Sequence, residues 1–210
     1  EGTEEILSPK LRNAVQGQDD VYEWIWNGGG GYGDPLDRDP ASVVADVRRR
    51  DVTTKTAGDI YGVILGPAGE PDFEATDRRR ENLRNERYSM ATPPRRPTMP
   101  ATTSRAGEGR SIVLAEYLEE IHFEDGGAVL RCRKCRHPLA EHGANYLDGL
   151  AIWDSPVTTI PLVRPPELLV DDRMVFRRYL CPECRTQVAA EIARASDEPK
   201  TDVQILPPIE

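Results

Sequence analysis

Two cysteine couplets constrain this chain more than any other feature of its sequence. They are Cys132-Arg133-Lys134-Cys135 and Cys181-Pro182-Glu183-Cys184, and they hold all 4 cysteines of the 210 residues. The thiols of one couplet lie across a tight turn and can face a single point. Two such turns supply the four ligands of a tetrahedral Zn²⁺ site. The sequence therefore predicts one structural zinc site whose ligands are Cys132, Cys135, Cys181 and Cys184.

Other chemistries remain as alternatives at these couplets. Disulfides, redox chemistry and iron–sulfur ligation are each compatible with paired cysteines, and the spacer from Cys135 to Cys181 is longer than in common zinc fingers. His137 and His142 lie near the first couplet, and either would become a ligand only by displacing a cysteine. A catalytic zinc keeps one position open for water, whereas four thiolates leave none. We therefore expect neither a catalytic residue nor a second cofactor site here.

The composition indicates a small core and argues against some partners. Hydrophobic residues make up 38% of the chain, which also has 18 prolines and 17 glycines. Chains of this kind usually gain stability from a metal or a partner. A net charge of −9 argues against nucleic acid, because the phosphate backbone would repel the chain. No long apolar run or signal-peptide pattern is present, so we expect a cytoplasmic protein with reduced thiols and no membrane partner.

The N-terminal third is predicted to contain a strand, a glycine loop and helices. Alternating aromatics over Asp20–Trp26 favour a short strand. The run Gly28–Gly31 lacks the Lys-Ser or Lys-Thr of a phosphate-binding loop, and the following acidic residues lack the spacing of a calcium loop. We interpret it as an interface loop. Helices are predicted after the Asp39 cap and after Thr53 or Thr54, a short strand at 63–65, and a charged helix at Glu74–Tyr88, either solvated or lying on a larger partner.

The C-terminal half is predicted to be built around the two couplets. A helix is expected over Ile112–Ile121, followed by a hairpin that runs into Cys132. A strand from Met174 ends at Cys181, and Gln187–Ile192 is expected to return. Residues 145–170 are proline-rich and predicted to be extended, with little strand pairing of their own. The expected fold is α+β and low in regular structure, with a strand-loop-helices segment at 1–90, an extended linker at 91–110 and a zinc-ribbon-like Cys₄ domain at 111–210.

The glycine-rich run and the residues after it carry a family resemblance. The stretch Gly30–Pro40, with Asp46-Val47, Tyr61-Gly62-Val63 and Asp72–Thr76, resembles the C-terminal signature of the B-type subunit of the hydantoinase/oxoprolinase family. That family includes large subunits of ATP-dependent ketone carboxylases such as acetone and acetophenone carboxylase. The resemblance covers about residues 24–80. Several hundred residues precede this region in such subunits, so we expect this chain to complete a partner's fold without an active site of its own.

A second resemblance lies around the second couplet. The run Tyr179–Cys184, followed by Gln187-Val188, Glu191, Pro199 and Asp202, is similar to the end of the small γ-subunit of acetone carboxylase-type enzymes. Those subunits are zinc-containing accessory proteins, and the similarity covers about residues 112–206. The first couplet departs from the commoner pattern, because Arg136 replaces a glycine.

Together the resemblances imply a non-catalytic accessory subunit of an ATP-dependent, biotin-independent ketone carboxylase, a ligase. Its partners would be large A-type and B-type subunits in a hetero-oligomer. One alternative is an accessory subunit of a hydantoinase- or oxoprolinase-type hydrolase. Two others are a free-standing zinc-ribbon binding module and a zinc hydrolase in its own right. The hydrolase would need an open position on the metal.

Overall fold

The chain divides into two compact units, Glu1–Gly31 and Tyr32–Glu210. A computed structural model describes residues 3, 5, 7, 13–22, 31–96, 109–124, 126–160, 163, 165–201 and 203. In the first unit the described residues form no helix or strand, and the Asp20 carboxylate accepts the Gly17 N–H at 2.7 Å. Most of the predicted aromatic strand, including Trp24 and Trp26, and Gly28–Gly30 lie outside the described residues.

The second unit begins with a short helical segment. A 3-10 turn at Pro35–Asp37 precedes α1 (Pro40–Arg49), α2 (Thr54–Asp59), β1 (Ile64–Leu65), β2 (Pro71–Asp72) and α3 (Phe73–Ser89). The Asp39 carboxylate caps α1 by accepting the Ser42 N–H, and the Thr53 hydroxyl caps α2 by accepting the Thr56 N–H, as expected for these residue types. The two predicted helix starts are therefore confirmed.

A small aliphatic core holds this segment together. It contains fully or almost fully buried side chains from α1, α2 and the residue before β1, namely Val43, Val44, Ala57 and Val63. The valine side chains of α1 face this core, with Val47 partly buried against it. So few buried groups give little hydrophobic stabilisation, and polar contacts described below attach the segment to the rest of the unit.

The charged helix α3 is not simply solvated. Thr76, Arg80 and Arg87 are buried on one of its faces. The Arg80 Nε donates to the Tyr61 carbonyl at 3.0 Å, and the Thr76 hydroxyl accepts the Ile64 N–H at 3.0 Å. The interpretation as a fully solvated helix is wrong for this face, because long arginine side chains bury their stems while their head groups bond to backbone carbonyls.

The first large sheet has four antiparallel strands in chain order, β3 (Arg110–Ala115), β4 (Leu118–His122), β5 (Ala128–Cys132) and β6 (Pro138–Glu141). The predicted helix over Ile112–Ile121 is wrong, since this stretch forms β3, a turn and β4. Glu119 in β4 lies opposite Arg131 in β5 and accepts a hydrogen bond from it at 2.6 Å. The predicted hairpin before Cys132 is confirmed, and Gly126 adopts the positive φ of 84° that its turn requires.

The second large sheet has the order β7 (Ala151–Pro156), β8 (Met174–Leu180) and β9 (Gln187–Arg194), all antiparallel. The strands predicted on either side of the second couplet are confirmed. The expectation that residues 145–170 lack pairing of their own is wrong for β7, which pairs with β8 along its whole length. The start of the predicted linker lies against β7, because Thr92 and Ile152 exchange backbone hydrogen bonds of 2.8 and 2.9 Å.

A mixed core joins the two large sheets around the cysteines. Its buried members from the first sheet include Leu118 and Leu130, and Tyr179 comes from the second. The mixed helix and sheet architecture is confirmed, and the boundaries at residues 90 and 110 stay a prediction. No helix in the described part of the chain is long and apolar enough to cross a membrane.

Candidate metal centre

The fold brings all four cysteines to one point. Cys132 ends β5 and Cys181 directly follows β8, so each sheet delivers one couplet. The four Sγ atoms lie within 4.8 Å of one another, with Cys132–Cys184 at 3.8 Å and Cys135–Cys181 at 3.5 Å. A tetrahedron with Zn–S distances of about 2.3 Å places its sulfurs about 3.8 Å apart. The cluster therefore has the dimensions to hold a metal ion, and ligation by these four residues stays a prediction.

The two couplets form the same turn. After the first, the Arg136 N–H donates to the Cys132 carbonyl at 2.7 Å and the Cys132 N–H donates to the His137 carbonyl at 2.9 Å. After the second, Arg185 and Thr186 bond to Cys181 in the same way, both at 2.9 Å. Arg136 and Arg185 have φ values of 63° and 59°. Each arginine thus adopts the left-handed conformation that glycine usually supplies, and Arg136 does not prevent the turn.

Replacing Arg136 with glycine is expected to stabilise the protein. A left-handed conformation costs an ordinary residue about 1 kcal/mol relative to glycine, and the exposed Arg136 side chain has no hydrogen bond in the described structure. Arg185→Gly is the matched comparison and should stabilise the protein less. It would lose the contacts of the Arg185 guanidinium, which bonds to Asn85 and stacks 5.7 Å from the Tyr88 ring centroid. Urea denaturation of both variants measures the difference. An Arg136→Gly variant less stable than wild type would contradict this account.

The four thiols perturb one another's pKa values because their sulfurs lie close together. Hydrogen bonds from Cys135 and Cys181 lower the pKa of the Cys132 thiol to about 7. Hydrogen bonds from the other three cysteines also lower the pKa of Cys184. The pKa values of Cys135 and Cys181 are raised, first because each bonds to the Cys132 sulfur. Two thiols thus favour the thiolate, and a bound cation would favour it for all four.

Neither predicted neighbouring histidine joins the cluster. His137 is half-buried, and burial lowers the pKa of its imidazole against the opposing charges of Glu183 and Cys184. The His142 ring bonds through Nδ1 to one oxygen of the buried Glu120 carboxylate at 2.6 Å. The other oxygen of that carboxylate bonds to His122 Nε2 at 2.7 Å. Within the described part of the chain, the four cysteines form the single group of such ligands close enough to hold a metal.

The glycine-rich stretch contacts the second cysteine turn through a buried ion pair. The Asp34 side chain is 0% exposed, and its carboxylate forms an ion pair with the Arg87 guanidinium. Arg87 Nη1 donates to Asp34 Oδ1 at 3.0 Å. The same carboxylate accepts the N–H of Gln187 at 2.9 Å. Arg87 also donates to the Arg185 carbonyl through Nε at 3.2 Å and Nη2 at 2.6 Å. We call this arrangement the Asp34–Arg87 clamp, because it ties α3 and residues 32–40, here called the glycine motif, to the second cysteine turn.

Asp34 is ionised despite its burial. Burial on its own raises the pKa of the carboxyl, but the hydrogen bonds and charge of Arg87 outweigh it, with help from the N–H groups of Gln187 and Leu36. The net result is a pKa below the usual value of 3.8. A buried carboxylate with several donors is the arrangement in which such a charge is stable.

A second contact joins the same stretch to the first cysteine turn. Lys134 lies within this turn, and its Nζ binds both oxygens of Asp37 at 2.6 and 2.8 Å. The Tyr117 hydroxyl donates to Asp37 at 2.9 Å and accepts the Asp34 N–H at 3.1 Å. Gly33 has a φ of 74°, and a Cβ there would lie 3.1 Å from the Tyr117 oxygen. The residues that follow the predicted interface loop, Gly33 to Asp37, therefore contact Tyr117 and the chain's own cysteine turns.

Sequence reasoning missed the polar residues that join the parts of this site. Asp34, Arg87 and Tyr117 were not singled out, although all three are buried. One signal was available for Asp34, which stands between a glycine and a proline in a run rich in acidic residues. Arg87 is one of many arginines on a charged helix, and no local pattern distinguishes it.

Comparisons with known proteins show a partial similarity to subunits of two enzymes. The chain is 36% identical over 78 residues to the acetone carboxylase alpha subunit of Xanthobacter autotrophicus (strain ATCC BAA-1158 / Py2), covering 35% of this chain and 10% of that subunit. It is 39% identical over 89 residues to caprolactamase subunit beta of Pseudomonas jessenii, covering 34% of this chain and 15% of that subunit. The chain thus spans a small part of either relative. No family model matches it.

Proposed function

We propose that this chain is a non-catalytic structural subunit of an ATP-dependent, biotin-independent ketone carboxylase, with a structural zinc ion on Cys132, Cys135, Cys181 and Cys184. The observation that carries the proposal is the closed four-sulfur cluster, whose two turns bind the glycine motif through Asp34 and Asp37. The partial similarity to an acetone carboxylase alpha subunit supports the enzyme class.

A structural role follows from the chemistry of the ligands. Four sulfur ligands favour zinc or an iron–sulfur centre, and two tight turns whose sulfurs lie at tetrahedral spacing favour a single ion. Such a zinc site is closed and offers no position for water or substrate. When bound, zinc would supply folding free energy, while Cys132 and Cys181, both 0% exposed, hold it away from solvent.

The position of the cluster supports a bracing role. The residues that resemble a B-type large subunit are the ones that Arg87, Lys134 and Tyr117 hold against the cysteine turns. A metal ion that fixes both turns therefore also fixes the surface formed by this segment. In the assembly we propose, that surface contacts the large A-type and B-type subunits.

An accessory role in a lactam or hydantoin hydrolase is the second candidate. The similarity to a caprolactamase beta subunit, at 39% identity, favours it. The same closed cluster and the same clamp would serve either enzyme, so the two candidates differ in the partner subunits and in the reaction that those partners carry out.

Purification of the tagged chain from its source cells tests the proposal. We expect two large subunits to elute with it, one zinc ion per chain by elemental analysis, and ketone-dependent ATP hydrolysis by the complex. Lactam hydrolysis by the complex would instead establish the second candidate. A chain that elutes alone as a folded monomer, or as a complex without metal, would contradict the proposal.

A further inference from the structure

Arg178 has a position unlike that of the other arginines in the second sheet. It lies in the middle of β8, where its guanidinium stacks 3.2 Å from the Trp153 ring centroid and 4.8 Å from that of Phe176. Its Nη2 donates to the Ser155 hydroxyl at 2.7 Å. Its Nε is buried and has no hydrogen-bond partner in the residues that the structure describes. Stacking on two aromatic rings orients this cation but does not neutralise it.

The charge of Arg178 is not balanced by a carboxylate within the described residues. Its neighbour Arg177 bonds to Asp154 at 2.9 and 3.0 Å, and Arg131 bonds to Glu119 at 2.6 Å. The charged residue that affects the pKa of Arg178 is instead another cation, Arg87. Burial, with a smaller effect of Arg87, lowers the pKa of Arg178 to about 10. A half-buried cation without a counter-ion is unfavourable in the isolated chain and would become favourable once an anion reached it.

The surface around Arg178 combines aromatic, aliphatic and cationic groups. The strand register places Trp153 opposite Arg178, and Phe176 opposite Ile192, so all four side chains lie on one face of the sheet. Ile192 is 54% exposed. The opposite face carries Tyr179 into the core. Tryptophan and arginine are enriched among the residues that dominate binding energy at protein interfaces.

We propose that this face, formed by Trp153, Phe176, Arg178 and Ile192, binds a segment of a large partner subunit that presents an aspartate or glutamate carboxylate between apolar side chains. The carboxylate would bind the Arg178 guanidinium, and the flanking apolar groups would cover Ile192 and the aromatic rings. The proposal rests on the assembly proposed above and names the chemistry of its contact. A protein carboxylate fits better than a nucleic-acid phosphate, because the chain as a whole carries a net charge of −9.

Arg178→Met tests the contact, since methionine keeps the apolar stem and removes the charge. The large subunits purified with the wild-type chain serve as the probe, and their affinity for each variant is measured by titration. We expect binding about 30-fold weaker for Arg178→Met, because a partner carboxylate would be left without its counter-ion. Arg110→Met, an exposed arginine on the first sheet, is the matched control and should stay within about 3-fold of wild type.

A second variant covers the case in which Arg178→Met does not fold. Ile192→Glu adds a carboxylate on the same face, where it would bind Arg178 and repel the partner, and Ile192 is exposed enough to accept it. Loss of binding by this variant supports the proposal. Wild-type affinity in both folded variants overturns it, as does retention of a single-stranded RNA oligonucleotide that depends on Arg178. If wild-type chain itself does not bind the large subunits, the proposed assembly fails rather than this contact.

Discussion

Replacing Cys181 with serine is expected to abolish metal binding and unfold residues 112–195. Cys181 is fully buried in the core that joins the two large sheets, and its sulfur is one of four that would hold the ion. Structural zinc contributes about 10–16 kcal/mol in zinc-finger peptides, which is as large as the whole stability of a typical domain. Circular dichroism and elemental analysis of the purified variant measure both losses, and chelator treatment of the wild-type protein should reproduce them.

Glu183→Gln is the control for Cys181→Ser, because Glu183 lies in the same turn and is exposed. This variant should keep its zinc and its fold. A Cys181→Ser protein that stays folded while the activity of the complex changes would be inconsistent with a structural site. That result would instead support the zinc hydrolase alternative, in which the metal is needed for reaction and not for folding.

Replacing Asp34 with asparagine is expected to lower the free energy of unfolding by about 3–5 kcal/mol, the usual cost of removing one partner from a buried ion pair. The Arg87 guanidinium would keep its burial and its bonds to the Arg185 carbonyl but lose its counter-ion. Urea denaturation measures the change, and Asp34→Asn/Arg87→Met tests its cause. The double variant should recover part of the loss, because it leaves no unpaired charge.

Asp39→Asn is the matched control for Asp34→Asn. Both aspartates accept backbone N–H groups near the start of a helical turn, but Asp39 is exposed and asparagine is an equally good cap. We expect little change in stability from this control. An Asp34→Asn variant as stable as the Asp39→Asn variant would show that the clamp does not contribute to folding.

The clamp also gives the protein an expected dependence on pH. Since the pKa of Asp34 is lowered in the folded chain, its contribution to stability is complete above the unfolded value, 3.8. The contribution is lost as the pH falls from there through the lower folded pKa. The free energy of unfolding, measured at a series of pH values, should therefore fall below about pH 4. The fall should be smaller in Asp34→Asn than in the wild-type protein. An identical acid dependence in the two proteins would rule out this origin.

The parts of the fold that sequence could predict are those with local signals. Proline after an aspartate cap defines the start of α1, and paired thiols define the cysteine turns. The stretch Ile112–Ile121 misled because its apolar residues recur at spacings that suit a helix, while they also occupy β3 and β4. The partner strand β5 decides between helix and strand here. Glu120 is buried and Glu119 pairs with Arg131 only when β5 is in place.

The contacts that complete the site have no local signal at all. Asp34 and Gln187 are 153 positions apart, and Arg87 and Arg185 are separated by 98. Each is a polar group of an ordinary type, and only the folded chain shows that it is buried and paired. The sequence therefore predicted that the four cysteines come together, but not the residues that attach their turns to the glycine motif.

Delivery of one couplet by each large sheet has a consequence for synthesis of the chain. Cys135 and Cys181 are separated by 46 positions, which take about 2–9 seconds to translate. If the couplets bind zinc as we propose, the first couplet emerges during that time with two of the four ligands. On a crowded polysome, neighbouring nascent chains could complete each other's sites by exchanging couplets, a form of domain swapping. We expect scarcity of free zinc during translation to increase the yield of such exchanged dimers.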